Sequence, residues 1–326
     1  MASFASPWVT KVKDLVGTQT PVQFGIGGTD LGIPARCPDG RTLYVFGDTF
    51  GDANMSENWR APVALYSDTT DLAAGVTFNG AVGGAVATQL LDYAHNQAGI
   101  STILPSDVIT IGATMYMHVI VNGPSFTNVM RTEVWRSDDS GASWQDTGVK
   151  FPGDKDGGYF QLITWGQGNN GYVYIFATGF QRDKGIVLYR VPETLLGDAN
   201  AYEPWGWNGQ WAWGNPASVV ADGRWGEMCL RPLGGKWLLV WFNAADYRID
   251  AMVLNTPLDD LYVAPKKTII HGGAWGQEDA THVAQLYGGY IIPGSTLDDI
   301  HLSVSQWNTS TNSVYHSMQF RVQNLS

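Results

Sequence analysis

The chain has 326 residues, including 39 glycines, 14 tryptophans and 14 tyrosines, and charged residues make up only 15% of it. This composition favours strands and tight turns over long helices. A net charge of −11 argues against a nucleic-acid partner, which needs clustered lysine and arginine for phosphate, and suits a neutral, sugar-like ligand.

Residues 29–37 and 41–49 read as two strands joined by Pro38, Asp39 and Gly40. Proline presets φ for the first turn position, and glycine accepts a positive φ at the last. With a three-residue turn, Cys37 faces Arg41 and opposed residue numbers sum to 78, so Asp30 lies opposite Asp48. Two opposed carboxylates repel, and at least one pKa rises. A two-residue turn would shift the sum to 79 and send the two acids to opposite faces. Residues 61–67 supply a third strand to this first unit.

The same pattern recurs about five times. The second unit starts at Ser106 and Asp107 and returns through 115–121 and 132–136. The third takes 159–165, 172–178 and 185–190. The fourth takes 225–232, turns at Gly234 and Gly235, and continues through 236–243 and 249–254. The fifth is expected to open at 279–286, turn at Gly288 and Gly289, and continue through 290–294, 301–307 and 314–322. Five antiparallel sheets repeated radially make an all-β fold, a five-bladed β-propeller. Pro34, Pro105 and Pro232 fall in first strands, which suits an edge strand lining a channel and not a central one. Residues 21–326 then form a single propeller catalytic domain, and residues 1–20 an N-terminal segment placed to close the last blade.

Ser137, Asp139, Gly141, Ser143 and Trp144 match the pattern S-x-D-x-G-x-[ST]-W of an Asp box, in which the acid caps turn amides and the tryptophan packs between sheets. It marks the fold, not a catalytic site. The long stretches 51–60, 80–99 and 200–222 read as loops. The last carries Trp205, Trp207, Trp211 and Trp213, which either stack on sugar or fill gaps between blades.

In an up-and-down blade, the start of the first strand and the end of the second share one face. Those positions are Asp30 with Asp48, Asp107 with Asn122, Gln161 with Thr178, Glu227 with Asn243, and Asp279 with Ser295, with His282 nearby. A concave acidic mouth suits glycoside cleavage, where one carboxylic acid protonates the leaving oxygen and a carboxylate attacks or activates water. Asp30, Asp48 and Glu227 are the candidate catalytic residues. Asp107, Asn122, Gln161, Asn243, Asp279, His282 and Trp225 are candidate substrate contacts. Asp107 reads equally as a turn cap, Glu227 as the partner of Arg224 or Arg231, and His282 as a satisfied core histidine. No metal site or cofactor is expected, since Asp298 and Asp299 are too short a cluster for calcium. Cys37 and Cys229 read as buried free thiols.

The stretches G-G-T-D-L-G at 27–32 and F-G-D-T-F at 46–50 resemble the propeller proteins of glycoside hydrolase family 183, once catalogued only as domains of unknown function. The resemblance runs from about residue 21 to 322. It implies an endo-D-arabinanase that cuts D-arabinofuranose chains of mycobacterial arabinogalactan and lipoarabinomannan, with Asp30 and Asp48 as the acidic pair. A sialidase would need a clamp of three arginines, which is not evident. The alternative from another class is a carbohydrate-binding propeller, such as a lectin or phage receptor-binding module. A lectin repeats its binding residues blade by blade, whereas the acidic pair occurs in the first unit only. No apolar run reaches the roughly 18 residues of a membrane span. No signal peptide is visible, so an extracellular or phage-associated setting is an expectation from the resemblance.

Overall fold

The computed structural model describes residues 7–125 and 127–325. Five antiparallel sheets form five blades of a β-propeller around a central channel. The innermost strands are Leu31–Arg36, Thr102–Ile111, Leu162–Gln167, Trp225–Leu233 and Leu286–Ile291. Each packs against the next, and the last touches the first, which closes the ring. Pro34, Pro105 and Pro232 all lie on these inner edges, where a missing N–H breaks no ladder. Trp8–Gly17 pairs with Tyr315–Gln323 as the outer strand of the fifth blade, so the two ends of the chain meet in one sheet. Within the expected N-terminal segment, residues 1–6 lie outside the described residues.

The first hairpin turns as its residues dictate. Gly40 has φ +93°, its N–H donates to the Cys37 carbonyl at 3.0 Å, and Cys37 N–H donates to Arg41 O at 2.7 Å. Opposed numbers sum to 78 from Ile33 with Val45 to Arg36 with Thr42. The apolar strands between the turns bury a core that runs through the ring, with Ile33, Val45, Val119, Val240 and Leu302 fully enclosed. Cys37 and Cys229 are buried free thiols, and burial pushes both up to about 11.

Two expectations need correction. The fifth blade does not open at 279–286: His282–Ala284 pairs in parallel with Lys266–Gly273 of the fourth blade, and the inner strand is Leu286–Ile291. Gly288 and Gly289 are no turn; they form a bulge inside that strand, with φ +81° and +116°, where the register slips. The stretch 200–222 is likewise not a loop over the channel. Glu203–Trp207 and Trp211–Trp213 extend the third blade outward, and Trp205 packs on Trp211 and Trp213 with centroids 6.0 and 5.0 Å apart.

Between the third and fourth strands of the second blade, Asp139 accepts from Ser143 N at 2.9 Å and from the hydroxyls of Ser137 and Ser143. Trp144 is buried, and its indole N–H donates to Gly141 O. The acid is spent on closing a turn.

Candidate active site

At one end of the channel lies a cavity of about 290 Å³, lined by residues from all five blades. Its floor is apolar, with Leu31, Pro105, Ile120 and Leu162, and its wall carries Asp30, Arg182, Glu227, Tyr247, Tyr287 and Trp307. Backbone irregularities gather here. Leu31, Arg182, Tyr247 and Gln285 all line the cavity with φ between +47° and +65°, a conformation that costs a non-glycine residue about 1 kcal/mol or more. The inner hairpins of the first, second, fourth and fifth blades each carry a register shift. Bulges of this kind re-aim side chains at the rims of closed sheets.

The bulge in the first blade changes how the two leading acids meet. It falls at Gly32, so Leu31 pairs with Phe46 and the Asp30 carbonyl accepts the Gly47 N–H at 3.3 Å. Asp30 therefore sits beside Gly47 and one residue out of line with Asp48, instead of squarely opposite it. The sum of 78 resumes at Gly28 with Phe50, and the hydroxyls of Thr29 and Thr49 meet at 2.7 Å. A Cβ on Gly47 would stand 2.4 Å from Asp30 Oδ1, so glycine at this position makes room for the carboxyl.

Asp30 is half-buried, with Oδ2 accepting from the Tyr287 hydroxyl at 2.7 Å. Its Oδ1 is buried with no hydrogen-bond partner among the described residues. Burial raises its pKa, the hydroxyls of Tyr287 and Tyr315 lower it, and the charges of Asp48 and Glu227 raise it, leaving it at about 7 against an ordinary 3.8. Asp48 accepts on one oxygen, Oδ1, from Trp59 Nε1 and Thr102 Oγ1, both at 2.7 Å. Burial raises its pKa too, but these two donors oppose the rise. Trp59 is held in turn between His95, with centroids 3.9 Å apart, and Phe50 at 6.1 Å.

Glu227 is the bulged residue of the fourth blade, where the register slips between Trp225 and Met228. Its Oε1 accepts from Arg182 Nη2 at 2.5 Å and Nε at 3.2 Å, while Oε2 is buried without a partner among the described residues. The guanidinium also lies 5.0 Å from the Tyr287 ring and 5.2 Å from Phe242. The expected partners Arg224 and Arg231 are not the ones used.

The remaining candidates are placed elsewhere. Asp107 is fully buried, and Arg231 clamps it at 2.7 and 3.0 Å. Thr164 Oγ1, Trp165 N and Val108 N also donate to it. It is a tie between blades with no free oxygen for a sugar. Asn243 is bound to Asp250 and Asp246. Trp225 is buried against Trp241, with centroids 4.3 Å apart. Asn122 is buried with no partner for its amide among the described residues. Gln161 accepts the Phe180 N–H at 2.9 Å and so supports a loop that lines the cavity. Asp279 and His282 are exposed on the strap between the fourth and fifth blades, bonded to one another, and do not line the cavity. Their expected place at the mouth depended on the misplaced inner strand.

Sequence reading missed Arg182, Tyr287, Tyr315, Trp59 and Thr102. Tyr287 was hidden by taking Gly288 and Gly289 for a turn. Arg182 gave one signal, a basic residue in the short loop after Thr178. Among the described residues, no group of three or more His, Cys, Asp or Glu side chains is arranged to hold a metal ion. No helix among them is long and apolar enough to cross a membrane.

A family model described as a domain of unknown function, DUF4185, matches residues 17–321. A Mycolicibacterium smegmatis protein, described as an uncharacterized 35.9 kDa protein in the asd 3′ region, is 34% identical over 312 residues. The match covers 90% of this chain and 91% of that protein. Among solved structures, a Bacteroides ovatus protein aligns with a TM-score of 0.65 at 12% identity, over 99% of this chain and 93% of that one. The α-L-arabinofuranosidase PaAbf62A of Podospora anserina aligns with a TM-score of 0.52 at 12% identity, over 96% of each. At such identities the structural likeness concerns the fold.

Proposed function

We propose that this chain, which belongs to the DUF4185 family, is a glycoside hydrolase acting on a furanose polysaccharide, with Asp30 and Asp48 as its working carboxyls. The observation that carries the reading is the divided environment of the two acids on one hairpin. Asp30, held at about 7, carries its proton up to the neutral range, whereas Asp48, also raised by burial, rests on two donors that favour its ionised form and hold that rise down. Asp30 gives its proton to the glycosidic oxygen as the bond to the anomeric carbon breaks. Asp48 stabilises the developing cation at that carbon and attacks it directly or takes a proton from the attacking water. On direct attack, water then displaces Asp48 from the anomeric carbon and gives its proton to Asp30, restoring both groups; on the water route Asp48 ends protonated and Asp30 ionised, and a proton passes back through solvent before the next turnover.

The substrate we assign is D-arabinan of the mycobacterial envelope, cut internally. Support comes from the motifs around both acids and from the kinship to a mycobacterial protein. An extracellular or phage-borne setting follows from such a substrate. The test is incubation of purified arabinogalactan with wild type, Asp30→Asn and Asp48→Asn, with products sized by chromatography. Short arabino-oligosaccharides from wild type, and loss of more than about a hundredfold in both variants, are the expected result. Retained binding without any cleavage by wild type would favour the lectin reading instead.

A further inference from the structure

Asp30 lines the cavity together with Tyr287, Arg182 and Glu227, whereas Asp48, beside it on the hairpin, is tied to Trp59 and Thr102. If the anomeric carbon is served by Asp48, the leaving sugar must lie on the far side of the acid, toward Glu227. There the structure offers a built receptor. Glu227 is only 7% exposed, lines the cavity, and presents a buried Oε2 with no partner among the described residues, while Oε1 is fixed by two guanidinium donors. A buried carboxylate oxygen left bare bears its full desolvation penalty unless a ligand or water satisfies it.

We propose that the Glu227–Arg182 pair is a hydroxyl-binding subsite for the sugar on the leaving-group side of the scissile bond, and that Glu227 binds substrate without exchanging protons in the reaction. This rests on the assignment of Asp30 and Asp48 above. A carboxylate oxygen accepts a sugar hydroxyl strongly because the acceptor is charged. Arg182 neutralises Glu227 without occupying that oxygen. Its left-handed backbone, φ +59°, and its seat against Tyr287 and Phe242 hold the guanidinium in place. Arg182 is thus a positioning residue: it fixes Glu227 and, through the Tyr287 ring, borders the group that bonds Asp30.

The test separates binding from chemistry. Steady-state kinetics of Glu227→Gln on arabinogalactan should show KM raised about 10- to 100-fold with the loss in kcat within about tenfold, and formate should not rescue Glu227→Ala. A fall in kcat of about a thousandfold, or rescue of Glu227→Ala by formate, would overturn the inference by making Glu227 catalytic. A second measurement needs no turnover: calorimetry of arabino-oligosaccharide binding to Asp30→Asn and to Asp30→Asn with Glu227→Gln. At least tenfold weaker binding by the double variant is expected, and equal binding would overturn the subsite. A wild type that cleaves nothing, but whose glycan binding weakens on Glu227→Gln, would sink the hydrolase reading while leaving the receptor in place.

Discussion

Asp30 and Asp107 occupy the inner edges of adjacent blades, yet they are opposite kinds of acid. Asp107 has no exposed surface and both oxygens filled, with a guanidinium and two backbone N–H groups among its donors. Asp30 is half-buried, is held by tyrosine hydroxyls, and keeps one oxygen without a partner among the described residues. A carboxylate surrounded by N–H donors and a cation is committed to its charge and to the fold. One desolvated beside other acids is kept near its titration point and available for proton transfer.

Neutralising each acid in turn should break the comparison most sharply. Asp30→Asn is expected to lose more than about a hundredfold in kcat and keep its fold, checked by kinetics beside circular dichroism. Asp107→Ala should do the reverse. It leaves the buried Arg231 without its partner, a change that typically costs about 3–5 kcal/mol, read as a lower urea midpoint. If Asp107→Ala unfolds outright, Asp107→Asn with Arg231→Met restores neutrality and should recover part of the loss.

Gly47→Ala probes the space beside Asp30 without replacing a titrating group. The added methyl meets Oδ1 at 2.4 Å, and the carboxyl must move off its two tyrosines. Misplacement of about 1 Å can cost on the order of a hundredfold, so a loss of about 10- to 100-fold in kcat is expected, with little change in melting temperature.

A smaller effect concerns pH and carries a definite sign. The unfolded Asp30 carboxyl releases its proton near 3.8, and the folded one near 7. Protonation therefore favours the folded chain, and this contribution is lost as pH rises from about 4 to about 7. Asp30→Asn should accordingly raise the melting temperature at pH 8 relative to wild type, with the gap closing toward pH 4. Tyr287→Phe removes a donor that lowers the Asp30 pKa, so the alkaline limb of kcat/KM should move to higher pH, with a loss of only a few-fold at neutral pH.

The propeller was readable because its cues are local. Turn residues at Pro38, Asp39 and Gly40, strand-length apolar runs, and prolines on three inner edges each follow from backbone sterics that neighbours do not override. The candidate acids Asp30 and Asp48 were readable for the same reason, since one hairpin holds both. Bulges were not. A glycine pair looks alike in a turn and in a bulge, so Gly288 and Gly289 displaced the whole fifth inner strand and carried Asp279 and His282 with it. The slip at Gly32 altered the Asp30 register in the same way. Partners distant in sequence, such as Tyr287 on Asp30 or Arg231 on Asp107, leave no trace in local spacing. They decide which acid is structural and which is reactive.

On the proposed mechanism Asp30 enters the reaction as an acid, holding its proton up to about pH 7 through burial and its two acidic neighbours. Carbon-13 NMR of the aspartate carboxyls in the free protein, with Asp30 assigned by difference against Asp30→Asn, measures that proton directly. A titration midpoint near 7 is expected. A midpoint near the ordinary 3.8 would contradict it.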